Sequence, residues 1–89
     1  MRGAVDLMYH EATYTDDQRE KAHQRYHSTA REAGEIARQA GAGALMIGHY
    51  SKSYDDSEQH LAEAKAAFGG NVIAAAEGMR VSVNSLRLK

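Results

Sequence analysis

The residues of this 89-residue chain whose types and spacing suit chemistry fall into three words: His10-Glu11-Ala12-Thr13, His27-Ser28-Thr29 and His49-Tyr50-Ser51-x-x-Tyr54. An imidazole can ligate a metal, pass a proton, or rest on a carbonyl as a structural group. His49 follows four apolar residues and a glycine, a position that suits a metal ligand and an ordinary strand-end histidine alike. His27 precedes a helix start, where it donates a proton, grips a phosphate, or simply links two helices. Glu11 either orients His27 or faces solvent. The hydroxyls of Ser28 and Thr29 beside a helix amino terminus suit an anion, in competition with helix capping. His10 alternates with Met8 and reads as a buried, hydrogen-bonded structural histidine. His23 stands four residues before His27, on one helical face but with no third ligand. His60 reads as a solvated helix residue. Tyr50 and Tyr54 could stack on bases, although aromatic residues flanking a strand end more often close a core. Gly41-Ala42-Gly43 lacks the spacing of a nucleotide-binding loop and reads as a turn.

The elements that must carry these groups are short and alternate. Val5-Asp6-Leu7-Met8-Tyr9 is a compact apolar run, read as a buried strand that ends in His10-Glu11. Thr15-x-x-Gln18 has the form of a capping box, predicting a polar helix from about Asp16 to Tyr26 with a thin apolar face of Ala22 and Tyr26. Thr29-Ala30-Arg31-Glu32 is a second capping box, opening an amphipathic helix with Ala33, Ile36, Ala37 and Ala40 inward and Gly41 or Gly43 as a left-handed cap. Ala44–Gly48 reads as a second buried strand. A third helix starts between Asp55 and Glu58, with Leu61, Ala64 and Phe68 inward and Gly69-Gly70 at its end. Val72–Ala75 and the alternating Met79–Val83 read as strands joined by a turn at Glu77-Gly78. The predicted order is β-α-α-β-α-β-β, an α/β fold in one domain over residues 1–89. Strands joined by helices run parallel through right-handed crossovers. The helix from Ala30 is then the return leg, about 16 Å long at the usual rise per residue. Its amino end lies on the rim where both strands finish, and that rim collects His10, Glu11, His27, Ser28, Thr29 and His49.

Composition bounds the alternatives. Hydrophobic residues make up 43% of the chain and charged residues 26%, with no like-charge run, which excludes a disordered or collagen-like chain. The longest apolar stretch is far shorter than the roughly 20 residues of a membrane span, so the chain reads as soluble and cytoplasmic, with no membrane partner. With no cysteine, any metal would have to sit on His, Asp and Glu. A net charge of −1 offers no general attraction to nucleic acid, so binding there needs a local site.

The three histidine-bearing words, in this order and at these separations, resemble the carboxyl-terminal part of ribonuclease Z, the zinc-dependent tRNA 3′-end endonuclease of the metallo-β-lactamase superfamily. The resemblance runs from about Val5 to Val83. It implies half of an αββα sandwich, an enzyme that removes the 3′ trailer of precursor tRNA by phosphodiester hydrolysis, and a two-zinc site. On the same resemblance His49 is a zinc ligand, and His27 contacts the scissile phosphate or protonates the leaving oxygen. Glu11 polarises His27. A homodimer and a Glu-Gly word at Glu77-Gly78 are further family traits.

The sequence also departs from the family. The His-x-His-x-Asp-His cluster, a further histidine and the bridging aspartate are absent, as is the arm that grips the tRNA elbow, and Ser53 stands where an arginine is usual, with Lys52 beside it. The chain is therefore expected to be the carboxyl-terminal fragment of a longer enzyme, inactive alone, with the remainder of the enzyme chain supplying most zinc ligands. The rival expectation is a non-catalytic α/β module that self-associates or pairs with a partner chain through an uncovered sheet. Another metallo-β-lactamase-type hydrolase is a third reading.

Overall fold

The computed structural model describes residues 6–75. Strand β1 spans Leu7–Glu11, β2 Ala44–Gly48 and β3 Asn71–Ala74, forming one sheet of order β1-β2-β3 with both pairings parallel. A 3-10 turn at Asp16–Gln18 leads into helix α1, Arg19–Gln24; α2 spans Ala30–Ala40 and α3 Glu58–Phe68. The expected alternation holds through β3; the predicted turn at Glu77-Gly78 and strand Met79–Val83 lie outside the described residues. None of the described helices is long and apolar enough to cross a membrane.

β2 matches its predicted bounds because a continuous apolar run between glycines can only be a central strand, buried on both faces. β1 ends at Glu11, in keeping with the expected His10-Glu11 end, and starts at Leu7. Its register with β2 pairs His10 with Ile47 and Glu11 with Gly48, and the Ala12 amide continues the ladder to the Gly48 carbonyl at 2.8 Å. It is also less buried than predicted, since Tyr9 is 56% exposed. The two faces of the sheet differ. One carries Leu45, Ile47 and Val72 into a core with Ala12, Ala30, Ala33, Ala37 and Ala64. The other presents Tyr9 and Ile73, the latter 44% exposed.

The alanines of that core explain a correction to α2. Its buried stripe is Ala30, Ala33, Gly34 and Ala37, whereas the predicted inward residues Ile36 and Ala40 are exposed, Ile36 by 41%. A Cβ on Gly34 would lie 2.6 Å from the Ala64 carbonyl oxygen and 2.9 Å from Ala67 Cβ. Backbones this close admit only glycine and alanine, so the helix turns its isoleucine outward. Both ends of α2 form as predicted. The Thr29 hydroxyl accepts the Glu32 amide while the Glu32 carboxylate accepts the Thr29 amide, and Gly41 caps the other end at φ 72°.

The first predicted capping box does not form. Thr15 is fully buried, and its hydroxyl bonds to the Asp17 carboxylate and pairs with the Tyr54 hydroxyl at 2.9 Å, so a 3-10 turn replaces the first turn of the expected helix. α1 is accordingly shorter, and Tyr26 lies outside both the helix and the core. His60 corrects the sequence reading in the opposite sense. It is 0% exposed, on the buried side of α3 with Ala64, its ring 5.0 Å from Tyr50 and 4.4 Å from Tyr54.

Candidate active site

Backbone bonding brings the three words together. The Tyr14 amide reaches the Ser28 carbonyl at 3.4 Å and the Ala30 amide reaches the Tyr14 carbonyl at 2.9 Å, laying the segment after β1 alongside the entry to α2. The Ser51 amide donates to the Thr13 carbonyl at 2.9 Å and so holds the segment after β2 against the same place. Glu11, His27 and His49 thus meet at the carboxyl ends of β1 and β2, with ligand-type atoms all within 4.8 Å of one another.

Thr13 joins them. Its hydroxyl lies 2.5 Å from Glu11 Oε1, 2.8 Å from His49 Nδ1 and 3.3 Å from His27 Nδ1. Glu11 Oε1 also accepts the Thr13 amide at 3.1 Å, and Oε2 accepts the Ser28 amide at 2.5 Å. Burial pushes the Glu11 carboxyl up, but the hydrogen bonds from Thr13 and Ser28 outweigh it and hold the group below its ordinary range. The carboxylate is therefore ionised and accepts only, so the single hydroxyl proton of Thr13 is committed to Glu11. The hydroxyl oxygen is left to accept, which makes His49 Nδ1 the protonated nitrogen and leaves the lone pair on Nε2. The same reasoning puts a proton on His27 Nδ1, which also faces Glu11 Oε1 at 3.6 Å.

The two imidazoles stack, centroids 5.3 Å apart and planes at 28°, and Tyr14 meets His27 edge-on at 6.3 Å. His49 holds a left-handed backbone, φ 62°, which is costly for a non-glycine residue and points to a position fixed by its surroundings. Both oxygens of Glu11 accept hydrogen bonds, two on Oε1 and one on Oε2, so its free acceptor capacity lies on Oε2. His49 fits a metal best: it is exposed, its Nδ1 is anchored, and no hydrogen bond engages Nε2 among the described residues. A tetrahedral zinc takes four ligands, so the described residues hold part of such a set.

The remaining candidates separate. Ser28 is half-buried, with its amide on Glu11. Thr29 is fully buried and its hydroxyl serves the α2 cap. His23 Nε2 bonds to Glu32 at 2.5 Å, so it shares no ligand face with His27. His10 is half-buried and its Nδ1 meets the Glu11 carbonyl at 2.8 Å, outside the cluster. Tyr50 and Tyr54 are bound to the Ile47 carbonyl and to Thr15, as residues that close a core. Sequence reasoning assigned Thr13 no role; its one signal was a hydroxyl two residues beyond a strand-end glutamate.

No family model matches the sequence. Ribonuclease Z of Porphyromonas gingivalis (strain ATCC BAA-308 / W83) is 53% identical over 79 residues, covering 89% of this chain and 26% of that protein. The chain is similar to the carboxyl-terminal part of ribonuclease Z. Ribonuclease Z of Haloarcula marismortui is 48% identical over 76 residues, 84% of this chain and 24% of its own length. That of Cytophaga hutchinsonii is 47% identical over 64 residues, 72% and 20% respectively. The chain spans about a quarter of the length of the curated relatives it matches. Among solved structures, the metallo-β-lactamase fold protein YhfI from Bacillus subtilis superposes with a TM-score of 0.73 at 34% identity, over 83% of this chain and 30% of that one. The parallel sheet with helices on one face is thus a portion of a metallo-β-lactamase fold, and the cluster offers donors of the kind a metal takes.

Proposed function

We propose that this chain is the carboxyl-terminal segment of a zinc-dependent endoribonuclease that removes the 3′ trailer from precursor tRNA. The observation that carries the proposal is the Glu11–Thr13–His27–His49 cluster at the carboxyl ends of two parallel strands, in a chain similar to ribonuclease Z. In phosphodiester hydrolysis a hydroxide adds to phosphorus, the P–O3′ bond breaks, and the leaving 3′-oxygen takes a proton. Zinc, when bound, supplies an activated water and neutralises charge on the phosphoryl oxygens. His49 Nε2 is the ligand this chain contributes; the other ligands come from the remainder of the enzyme. His27 is the proton donor: Thr13 and Glu11 hold its Nδ1 and orient the ring, which leaves Nε2 to meet the leaving oxygen. Ser28 beside it is the hydroxyl available to a phosphate. Thr29 shapes the same entry by holding α2 in place. The complete enzyme is a cytoplasmic homodimer.

In the complete enzyme, His27→Ala is expected to lower turnover far more than zinc content, whereas His49→Ala lowers both; activity on precursor tRNA and zinc per chain by atomic emission are the readouts. Unchanged zinc and activity in the His49→Ala enzyme would overturn the assignment. One observation favours a second reading: the exposed Tyr9 and Ile73, on the side of the sheet that carries no helix among the described residues, suit a module that binds itself or a partner chain. The native mass separates the two. A native chain of about 89 residues, without a copurifying partner or zinc, removes the enzyme and leaves a binding module.

A further inference from the structure

Resting on the endoribonuclease reading, we infer that Tyr26 is a stacking platform for the nucleobase adjoining the phosphate at His27, and that Lys21 and Arg25 follow the backbone of the same strand. Tyr26 is 96% exposed, whereas Tyr14 is buried and Tyr50 and Tyr54 are held by hydrogen bonds. Nothing in the fold uses its ring. Its backbone is left-handed, φ 61°, because it closes α1: the His27 amide bonds back to the Ala22 carbonyl at 2.8 Å and the Tyr26 amide to the His23 carbonyl at 3.2 Å. That pair of bonds is a Schellman turn, whose left-handed position suits glycine and strains a bulky side chain. A tyrosine kept there, with its ring in water, contributes neither to the turn nor to the core.

The same turn that fixes Tyr26 delivers His27 to the cluster, so their Cα atoms stand about 3.8 Å apart. A base on Tyr26 therefore belongs to a nucleotide next to the reacting phosphate. Lys21 Nζ sits 5.8 Å over the Tyr14 ring, and that ring packs edge-on against His27. Arg25, one turn after Lys21, is exposed, and neither cation has an ion-pair partner among the described residues. An exposed aromatic ring with cations on the preceding helical turn is the combination that holds single-stranded nucleic acid without reading its sequence.

The test uses the complete enzyme and fluorescently labelled precursor tRNA, intact or made abasic at one of the two nucleotides flanking the cleavage point. Binding is measured by anisotropy and cleavage in parallel. Tyr26→Ala should weaken binding of the intact precursor roughly ten-fold with little change in kcat, and Tyr26→Trp should restore it. On one of the two abasic precursors Tyr26→Ala should change binding by less than two-fold. Tyr26→Gly should weaken binding equally while melting no lower than the parent, because glycine suits the turn; a purely structural role would give the opposite. Equal losses on intact and both abasic precursors, or no loss on any, would overturn the inference alone. A parent enzyme that neither binds nor cleaves precursor tRNA would overturn the endoribonuclease reading and this inference with it.

Discussion

Replacing His60 with leucine should make the protein more stable, and more so as the solution becomes acidic. The ring is fully buried, and neither Nδ1 nor Nε2 has a hydrogen-bond partner among the described residues. A neutral imidazole has one N–H to donate and one lone pair to fill, and each polar group buried without a partner costs about 1–3 kcal/mol. Leucine removes both costs but loses the ring's contacts with Tyr50 and Tyr54, worth about 0.5–1.5 kcal/mol each. With mid-range values, about 4 against about 2 kcal/mol, the difference is a gain of about 2 kcal/mol, which for a domain of this size raises Tm by roughly 8–16 °C. Burial is the largest influence on the His60 pKa and lowers it, against the Thr13 carbonyl and the carboxylates of Glu63, Asp17 and Asp56, which pull it up. The folded value thus lies below the unfolded value of about 6.5. Between the two the unfolded chain binds a proton that the folded chain does not, so the parent loses stability as pH falls below about 6.5. The leucine variant lacks this contribution, and groups not coupled to His60 cancel in the difference between the two proteins. Thermal denaturation of both at pH 7.5 and 5.5 is the assay. A variant that melts lower than the parent at pH 7.5, or a gap that fails to widen at pH 5.5, would refute the reasoning.

Gly34→Ala should destabilise the protein by about 1–3 kcal/mol, since the new methyl meets the Ala64 carbonyl and the α3 backbone rather than the yielding end of a side chain; the urea midpoint is the measure. Thr29→Ala removes the hydroxyl that accepts the Glu32 amide and should cost about 1 kcal/mol, with Thr29→Ser recovering most of it; chemical denaturation of the three proteins checks this.

The parts of the fold that were legible in the sequence are those whose signals are local. Gly43 precedes β2 and Gly48 ends it, Thr29 and Glu32 lie three apart, Gly41 takes the left-handed cap expected at Gly41 or Gly43, and Gly69 closes α3 where Gly69-Gly70 is expected to end it. What the sequence hid depends on which surfaces meet. Ile36 has the right spacing to face the core, but the α2–α3 approach leaves no room for it, a fact set by Ala64 and Ala67 some thirty residues away. Thr15 and Gln18 satisfy the capping pattern, yet Tyr54 claims the Thr15 hydroxyl from the far side of the chain. His60 looks solvated on a helix that starts among polar residues, and only the packing of Tyr50 and Tyr54 encloses it. In the candidate site the strand-end rule gathered Glu11, His27 and His49 correctly in space, while Thr13 stayed invisible because a threonine hydroxyl has no pattern of its own.

The site divides into a part this chain completes and a part it does not. The orientation of His27 is self-contained: Thr13, Glu11 and the Ser28 amide all belong to the described residues and are mutually hydrogen-bonded. The metal side rests on one exposed histidine. His49 and Tyr26 are the non-glycine residues with positive φ among those described, at about 1–2 kcal/mol each, and each adjoins or belongs to a word of the site. In a core built largely of alanine that strain is a real fraction of a net stability of about 5–15 kcal/mol. It persists because the backbone on either side is fixed, by β2 before His49 and by the Schellman turn around Tyr26. A segment that spends stability on placing two histidines leaves one of them, His49, exposed and with no hydrogen bond on Nε2 among the described residues, as the proposed metal ligand requires.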